Sequence, residues 1–175
     1  PENASYAVEY AEKLISNGDT DDAIDVLENT LSYNRDNSMV YMSLSKAYNE
    51  NADFEEAIEI LEELFNLDKN NFRVALLISI NSIEIDDFES AYEWGQKSMK
   101  ISRNNAESLA HMGNLYYKSM QTCRGDNFSR SDKIVASLAH EYFVKAENKG
   151  NSKKPIGNNV FIAFWQPPGM RTERK

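Results

Sequence analysis

Residues 37–64, NSMVYMSLSKAYNENADFEEAIEILEEL, decide the fold because they contain two helical patterns in succession. The first half spaces Tyr41, Leu44 and Tyr48 three and four residues apart, which places them on one face of a helix. The second half repeats this spacing with apolar residues between Ala57 and Leu64. Asn-Ala-Asp separates the two patterns. The stretch therefore predicts two antiparallel helices joined by a short turn.

The same pattern returns every 34 residues along the chain. Asparagine begins each period and is a strong N-cap, because its side-chain oxygen accepts a backbone N–H of the first helical turn. Small residues follow at two fixed positions, where they let paired helices approach closely. One helix pair cannot bury its own apolar face, whereas stacked pairs can, so the period predicts a helical solenoid. The asparagines are Asn3, Asn37, Asn71 and Asn105, and the small residues are Ala11, Ser45, Ser79 and Gly113 in the first helices and Ala23, Ala57 and Ala91 in the second.

The turn inside each period has a signature of its own. Gly18 suits the left-handed conformation that ends a helix. Asp19 with Asp22, and likewise Asp53 with Glu56, place one acid at the expected cap and another three residues later. This spacing is typical of a capping box, so we expect both second helices to be capped by these aspartates.

These periods resemble tetratricopeptide repeats, most clearly in the second period. The matching positions there are Tyr41, Leu44, Ser45, Tyr48, Ala57, Leu61 and Leu64. The proline that the family often has near the end of a repeat is absent, since Arg35, Lys69 and Arg103 stand there. The resemblance implies an all-α fold, a right-handed α-solenoid of about four helix-turn-helix units. We expect the repeats near 3–36, 37–70, 71–104 and 105–150, as one array over residues 1–150.

Two segments depart from the period. The fourth repeat has an insertion at about residues 120–133, where we expect an extended first helix, a loop, and a second helix from about Ser131 to Asn148 with Ser131 or Asp132 as its cap. The insertion is either a tolerated surface loop or a binding loop. In the tail, residues 151–175, the β-branched and aromatic run Val160–Trp165 predicts a short extended segment. We expect it to fold back as a cap on the fourth helix pair or into the groove, unless another protomer or another protein buries it.

Charge is unevenly distributed along the chain. Residues 1–100 hold 22 acidic and 7 basic side chains, whereas residues 101–175 hold 6 and 12. The net charge of −9 disfavours non-specific binding to nucleic acid. The asymmetry is either an ordinary solvated surface or a polarity that meets acidic partners, or the chain's own acidic end, through the C-terminal third.

Little in the sequence points to catalysis, and we expect no enzymatic activity. The one cysteine, Cys123, excludes an intrachain disulfide and a multi-cysteine metal site. His111 and His140 lack the spacing of metal ligands. The aspartates from Asp19 to Asp25 lack the glycine and the closing glutamate of a calcium loop. We therefore expect no cofactor and no metal.

The composition is that of a soluble, acidic protein. The longest apolar runs are far shorter than the roughly 18 residues that span a bilayer, so we expect no membrane insertion. A single cysteine is compatible with a reducing compartment and favours the cytoplasm. The chain begins with Pro1 and not with methionine, from which we expect a processed N-terminus or an excised fragment.

Since we expect no catalytic or metal site, the function left to consider is the binding of a partner at the protein surface. In tetratricopeptide repeats the first helix of each pair lines a concave groove that receives peptides or helices, so the resemblance implies a protein-interaction module with a protein or peptide partner. The alternative is a structural subunit that self-assembles into a homo-oligomer through its acidic N-terminal and basic C-terminal surfaces. We also consider that Met39, Leu76 and Ile80 are instead buried between neighbouring helices. The expected groove residues are Met39, Met42, Lys46, Asn49, Arg73, Leu76, Ile80, Ile83, Asn114, Tyr117 and Lys118.

Overall fold

A computed structural model describes residues 3–125 and 128–150, which form eight helices and no strand. They are α1 (Ala4–Asn17), α2 (Thr20–Tyr33), α3 (Ser38–Glu50), α4 (Phe54–Leu67), α5 (Phe72–Glu84), α6 (Phe88–Ile101), α7 (Ala106–Cys123) and α8 (Arg130–Asn148). The chain divides into two compact units, the first with α1–α6 and the second with α7 and α8. The predicted all-α fold of helix pairs is confirmed. The extended segment predicted at Val160–Trp165 lies outside the described residues.

Each helix pair begins at the asparagine that the period predicts. The side-chain oxygen of Asn71 accepts the backbone N–H groups of Arg73 and Val74, at 3.2 and 3.4 Å. The same kind of cap is made by Asn3, Asn37 and Asn105. Each cap satisfies a backbone donor that has no partner inside its own helix, so the four predicted N-caps are confirmed.

The second helices begin differently from the prediction. Asp19 and Asp53 hold the N-cap positions of α2 and α4, but neither side chain makes a capping hydrogen bond. The Oδ2 atom of Asp53 instead accepts the side-chain amide of Asn51 at 2.7 Å, a donor that lies within the same turn. The expected capping boxes at Asp19 and Asp53 are therefore wrong. Only α6 has an aspartate cap among the three second helices of the first unit, since Asp87 accepts the backbone N–H of Ser90 at 3.0 Å.

The turn inside each of these pairs closes on one residue in the left-handed conformation. Gly18, Ala52 and Asp86 occupy the same position of the period and have φ angles of 90°, 64° and 58°. In all three turns the next aspartate donates its backbone N–H at 2.9 Å to the carbonyl five residues earlier. This is the hydrogen bond of a Schellman ending, and the expectation for Gly18 is confirmed.

The core of the first unit is built between consecutive helices. The helices pack in chain order from α1 to α6, and α1 also packs against α3. Leu27 of α2 and Leu44 of α3 are fully buried in one cluster, and Leu61 of α4 and Ile78 of α5 are fully buried in the next. Each of these side chains contributes roughly 1.5–3 kcal/mol by leaving water. Each helix pair therefore completes the core of its neighbour.

The second unit is one pair of longer helices. α7 has 18 residues and α8 has 19, because residues of the predicted insertion extend both helices. The N-cap of α8 is Ser129, not the expected Ser131 or Asp132. The side-chain oxygen of Ser129 accepts the backbone N–H of Asp132 at 3.2 Å, and Oδ2 of Asp132 accepts the backbone N–H of Ser129 at 2.6 Å. Asp132 is thus the reciprocal partner in a capping box rather than the cap.

Candidate protein-binding surface

One face of α3 is open and carries four of the predicted groove residues. Met39 is 48% exposed, Met42 is 38% exposed, and Lys46 is exposed one turn further on. Asn49 is half-buried at the end of the same face. Because successive members are three or four residues apart, all four lie on one side of the helix. Two flexible thioether side chains beside a cation form an adaptable apolar surface.

On α5 the structure separates the predicted residues into exposed and buried ones. Arg73 is exposed and Ile80 is 37% exposed. Leu76 and Ile83 are only 5% and 7% exposed, so they offer no open surface to a partner, contrary to the prediction. The physical reason is that α5 is apolar almost all round, and such a helix is buried on more than one face.

The remaining predicted residues lie on α7 in the second unit. Asn114 and Tyr117 are half-buried and Lys118 is exposed. The hydroxyl of Tyr117 accepts the side-chain amide of Gln121 at 3.1 Å. The predicted residues of α3 and α5 lie in the first unit, where both helices pack against α4. It places the residues of α7 in the second unit.

The α3 face also contains a buried polar atom. The side-chain oxygen of Asn49 is buried and accepts no hydrogen bond from the residues that the structure describes. A buried acceptor without a donor costs about 1–3 kcal/mol. Because this oxygen has no exposed surface, the part of the face open to a bound segment consists of Met39, Met42 and Lys46. The face is therefore suited to an amphipathic segment.

A second concave region, which sequence reasoning missed, lies among α2, α3 and α4. It is a recess of about 480 Å³ lined by Asp21, Ile24, Asp25, Glu28, Tyr48, Asn51, Asp53 and Glu56. The Tyr48 hydroxyl donates to the Glu28 carboxylate, and burial together with this hydrogen bond raises the pKa of Tyr48 above its ordinary value. The pair is 20 residues apart on different helices, so no local motif signals it.

The residues considered for catalysis are not assembled into a site. Cys123 is exposed at the end of α7, whereas His111 is buried in the same helix and burial lowers its pKa to about 4. His140 is half-buried on α8. Within residues 3–125 and 128–150, no group of three or more His, Cys, Asp or Glu side chains is placed to hold a metal ion. None of the described helices is long and apolar enough to cross a membrane.

Comparison with known proteins finds a family match over part of the chain and a similar fold. Residues 14–79 match the family model of the tetratricopeptide repeat. The chain is similar in structure to MamA 41-end from Desulfovibrio magneticus RS-1, with 16% identity, 87% of this chain and 78% of that chain covered, and a TM-score of 0.67. It is also similar to a MamA RS-1 ArsTM double mutant, with 16% identity, coverages of 85% and 75%, and a TM-score of 0.65. No curated protein matches the chain by sequence.

The matched range begins inside α1, contains α2, α3 and α4, and ends inside α5. These are the helices whose N-caps, Schellman turns and shared clusters repeat with the 34-residue period. At 16% identity the likeness to MamA concerns the fold. Residues 14–79 thus resemble tetratricopeptide repeats, and the chain shares an all-α fold of paired helices with the MamA structures.

Proposed function

We propose that this chain is a non-catalytic protein-interaction module that holds a peptide or helix of a partner on the open face of α3 and α5. The observation that carries the proposal is the exposure of Met39, Met42 and Ile80 on the first helices of their pairs. Met39 and Met42 lie three residues apart on the same side of α3, and neighbouring exposed apolar side chains favour an interaction surface, whereas singly scattered ones do not. The tetratricopeptide repeats support the same reading.

The charges beside this face indicate the chemistry of the partner. Lys46 follows the two methionines on α3, and Arg73 precedes Ile80 on α5, with both cations exposed. A segment with apolar side chains three or four residues apart and an acidic group at its edge would contact both kinds of side chain.

The test is affinity capture with the full chain as bait and identification of partners by mass spectrometry. The variant Met42→Glu with Ile80→Glu is expected to lose the partner, because two carboxylates would enter the apolar face. The matched control is Glu55→Ala with Glu59→Ala on α4, where both residues are exposed, and it is expected to retain the partner. Leu76 is not substituted in this variant, because its side chain is buried. With circular dichroism showing both variants folded, equal capture by the two would contradict the proposal.

The charge asymmetry favours a second candidate function, self-assembly of the chain as a structural subunit. Residues 1–100 are strongly acidic and residues 101–175 are basic, so the acidic part of one copy attracts the basic part of another. Salt screens such attraction over about 10 Å at 0.1 M. Sedimentation at several concentrations would then show a mass that rises at low salt and returns to that of a monomer at high salt. A monomer under all conditions would exclude this candidate.

A further inference from the structure

The methionines of the described residues divide into two that are exposed and three that are buried. Met39 and Met42 on α3 are 48% and 38% exposed. Met99 on α6 and Met112 and Met120 on α7 are 7%, 0% and 7% exposed. The thioether sulfur of methionine is oxidised to a sulfoxide, and a dissolved oxidant must reach the sulfur to do this. The fold therefore offers two methionines to such an oxidant and shields the other three.

The two exposed methionines are neighbours on the same side of α3. They are three residues apart, and the exposed Lys46 follows Met42 by four residues on that side. A sulfoxide oxygen at Met42 would be a hydrogen-bond acceptor one turn from the Lys46 ammonium group, which has three N–H donors. A thioether sulfur is only a weak acceptor, so this neighbour favours the oxidised form of Met42.

We propose that Met39 and Met42 form an oxidation site, at which a peroxide converts the apolar α3 face into a polar one, so that a bound partner is released. With hydrogen peroxide, the sulfur attacks one oxygen, an S–O bond forms and the O–O bond breaks. The departing hydroxide takes up the proton lost from the transferred oxygen and becomes water. The sulfur is oxidised and the peroxide is reduced. The release of a partner rests on the proposed function of this face.

The change is reversible and leaves the core untouched. A sulfoxide reductase restores the thioether at the expense of two thiols, which become a disulfide, and the oxygen leaves as water. An oxygen added to the fully buried Met112 would lie among apolar atoms, which is costly without a hydrogen-bond partner. At Met39 and Met42 the added oxygen is hydrated. Oxidation at these two residues therefore changes the surface for a partner and not the fold, since a sulfoxide is polar and disrupts methionine-rich interfaces.

The first test is a time course of the full chain in hydrogen peroxide, with the oxidised fraction of each methionine measured by digestion and mass spectrometry. Met39 and Met42 are expected to be oxidised about tenfold faster than the three buried methionines, with an unchanged circular dichroism spectrum. In urea, where the chain is unfolded, all five should be oxidised at similar rates. Met170 lies outside the described residues and is recorded separately.

One result of this time course would overturn the proposal. It is oxidation of Met39 and Met42 in the folded chain no faster than that of Met99, Met112 and Met120. The full chain is used, so a segment outside the described residues that covered α3 would give the same slow oxidation.

The second test measures what oxidation does to the surface. Hydrophobic-interaction chromatography of the folded chain is expected to elute the oxidised form earlier than the unmodified one. The matched control is Met39→Leu with Met42→Leu, which keeps an apolar face and also keeps Cys123 and Met170, but has no sulfur on α3. Its elution is expected to stay the same after peroxide. An equal shift in this control would assign the effect to another residue and overturn the proposal.

The third test is affinity capture with the oxidised chain as bait. It is expected to retain about tenfold less of the partner that the unmodified chain captures and that the Met42→Glu with Ile80→Glu variant loses. Reductase treatment should restore capture, and the leucine double variant should retain the partner after peroxide. Undiminished capture by a chain oxidised at both methionines would overturn the proposal and leave the proposed function intact. A partner that the Met42→Glu with Ile80→Glu variant retains would contradict the proposed function and the release step with it, whereas the oxidation site itself is decided by the time course.

Discussion

The ring of Phe143 lies so close to the backbone of Gly113 that a Cβ atom on Gly113 would stand 2.5 Å from Cε1 of Phe143. Gly113 occupies the position of the period where the other first helices have alanine or serine. The tightest approach of paired helices in the second unit therefore depends on the absence of a side chain at one residue.

Gly113→Ala is expected to destabilise the chain, because the buried ring of Phe143 must shift. Overpacking of this kind costs about 1–3 kcal/mol, and the better helix propensity of alanine offsets about 1 kcal/mol of it. In the Phe143→Leu background the same change is expected to be neutral or stabilising. A double-mutant cycle from urea unfolding measures the difference. Additive effects of the two changes would contradict the close contact.

Gly18→Ala is expected to cost about 1–2 kcal/mol through backbone conformation alone. The φ angle of Gly18 is 90°, and a Cβ atom there would meet nothing within 4 Å. The matched control is Gly125→Ala, which also has free space but no φ in the left-handed region, and it is expected to stay within about 0.5 kcal/mol of wild type. Thermal or urea unfolding of both variants makes the comparison, and equal losses would rule out backbone strain as the cause.

Asn71→Ala is expected to cost about 0.5–2 kcal/mol, because its side chain accepts two backbone N–H groups at the start of α5. Asp19→Ala is the contrast, since Asp19 makes no capping hydrogen bond. The unfolding free energy lost in Asp19→Ala should come from the helix dipole only. It should amount to about 0.3–1 kcal/mol and should shrink in high salt. Urea unfolding at low and high salt distinguishes the lost capping hydrogen bonds of Asn71→Ala from the lost helix-dipole interaction of Asp19→Ala. A larger, salt-independent loss at Asp19 would show that it caps α2 after all.

The buried imidazole of His111 makes stability depend on pH. Burial lowers its pKa from 6.5 to about 4 in the folded chain. Because the unfolded state then binds a proton that the folded state excludes, this contribution is complete above the unfolded pKa and is lost as the pH falls towards 4. The loss between neutral pH and pH 5 amounts to about 2 kcal/mol.

His111→Gln is expected to flatten this part of the pH profile, whatever its effect on stability at neutral pH. The control is His140→Gln, which leaves His111 in place and should retain the wild-type profile. Unfolding by urea at several pH values between 7 and 5 gives both curves. A His111→Gln profile as steep as that of the wild type would mean that other groups cause the dependence.

The sequence predicts most of the fold because each repeat depends on local chemistry. The asparagine caps and the small residues at the helix contacts are visible in the period itself. The aspartate caps were not predictable in the same way, since the amide of Asn51 competes for the carboxylate of Asp53 only once the turn is formed. The start of α8 was misplaced because Ser129, Ser131 and Asp132 are all good caps, and geometry selects Ser129.

The candidate surface was predicted only in part. The period identifies which helix face is equivalent in each repeat, and this was sufficient for Met39 and Met42. It cannot tell how many faces of an apolar helix such as α5 are covered, which is why Leu76 and Ile83 are buried. Tyr6 and Tyr10 are exposed although the equivalent residues of the later repeats are buried, and no residue in their own vicinity signals this difference.

The exposure of Tyr6 and Tyr10 on α1 also has a kinetic consequence. In a stack whose units contact only their neighbours, a unit with an uncovered helix face opens at a lower free-energy cost than a unit covered on both sides. Amide hydrogens of α1 should therefore exchange with solvent faster than those of α3, and opening should advance inward one repeat at a time. Any segment that covers Tyr6 and Tyr10 would slow exchange first in α1 and then, more weakly, in α2 and α3, so that its presence could be observed several helices away.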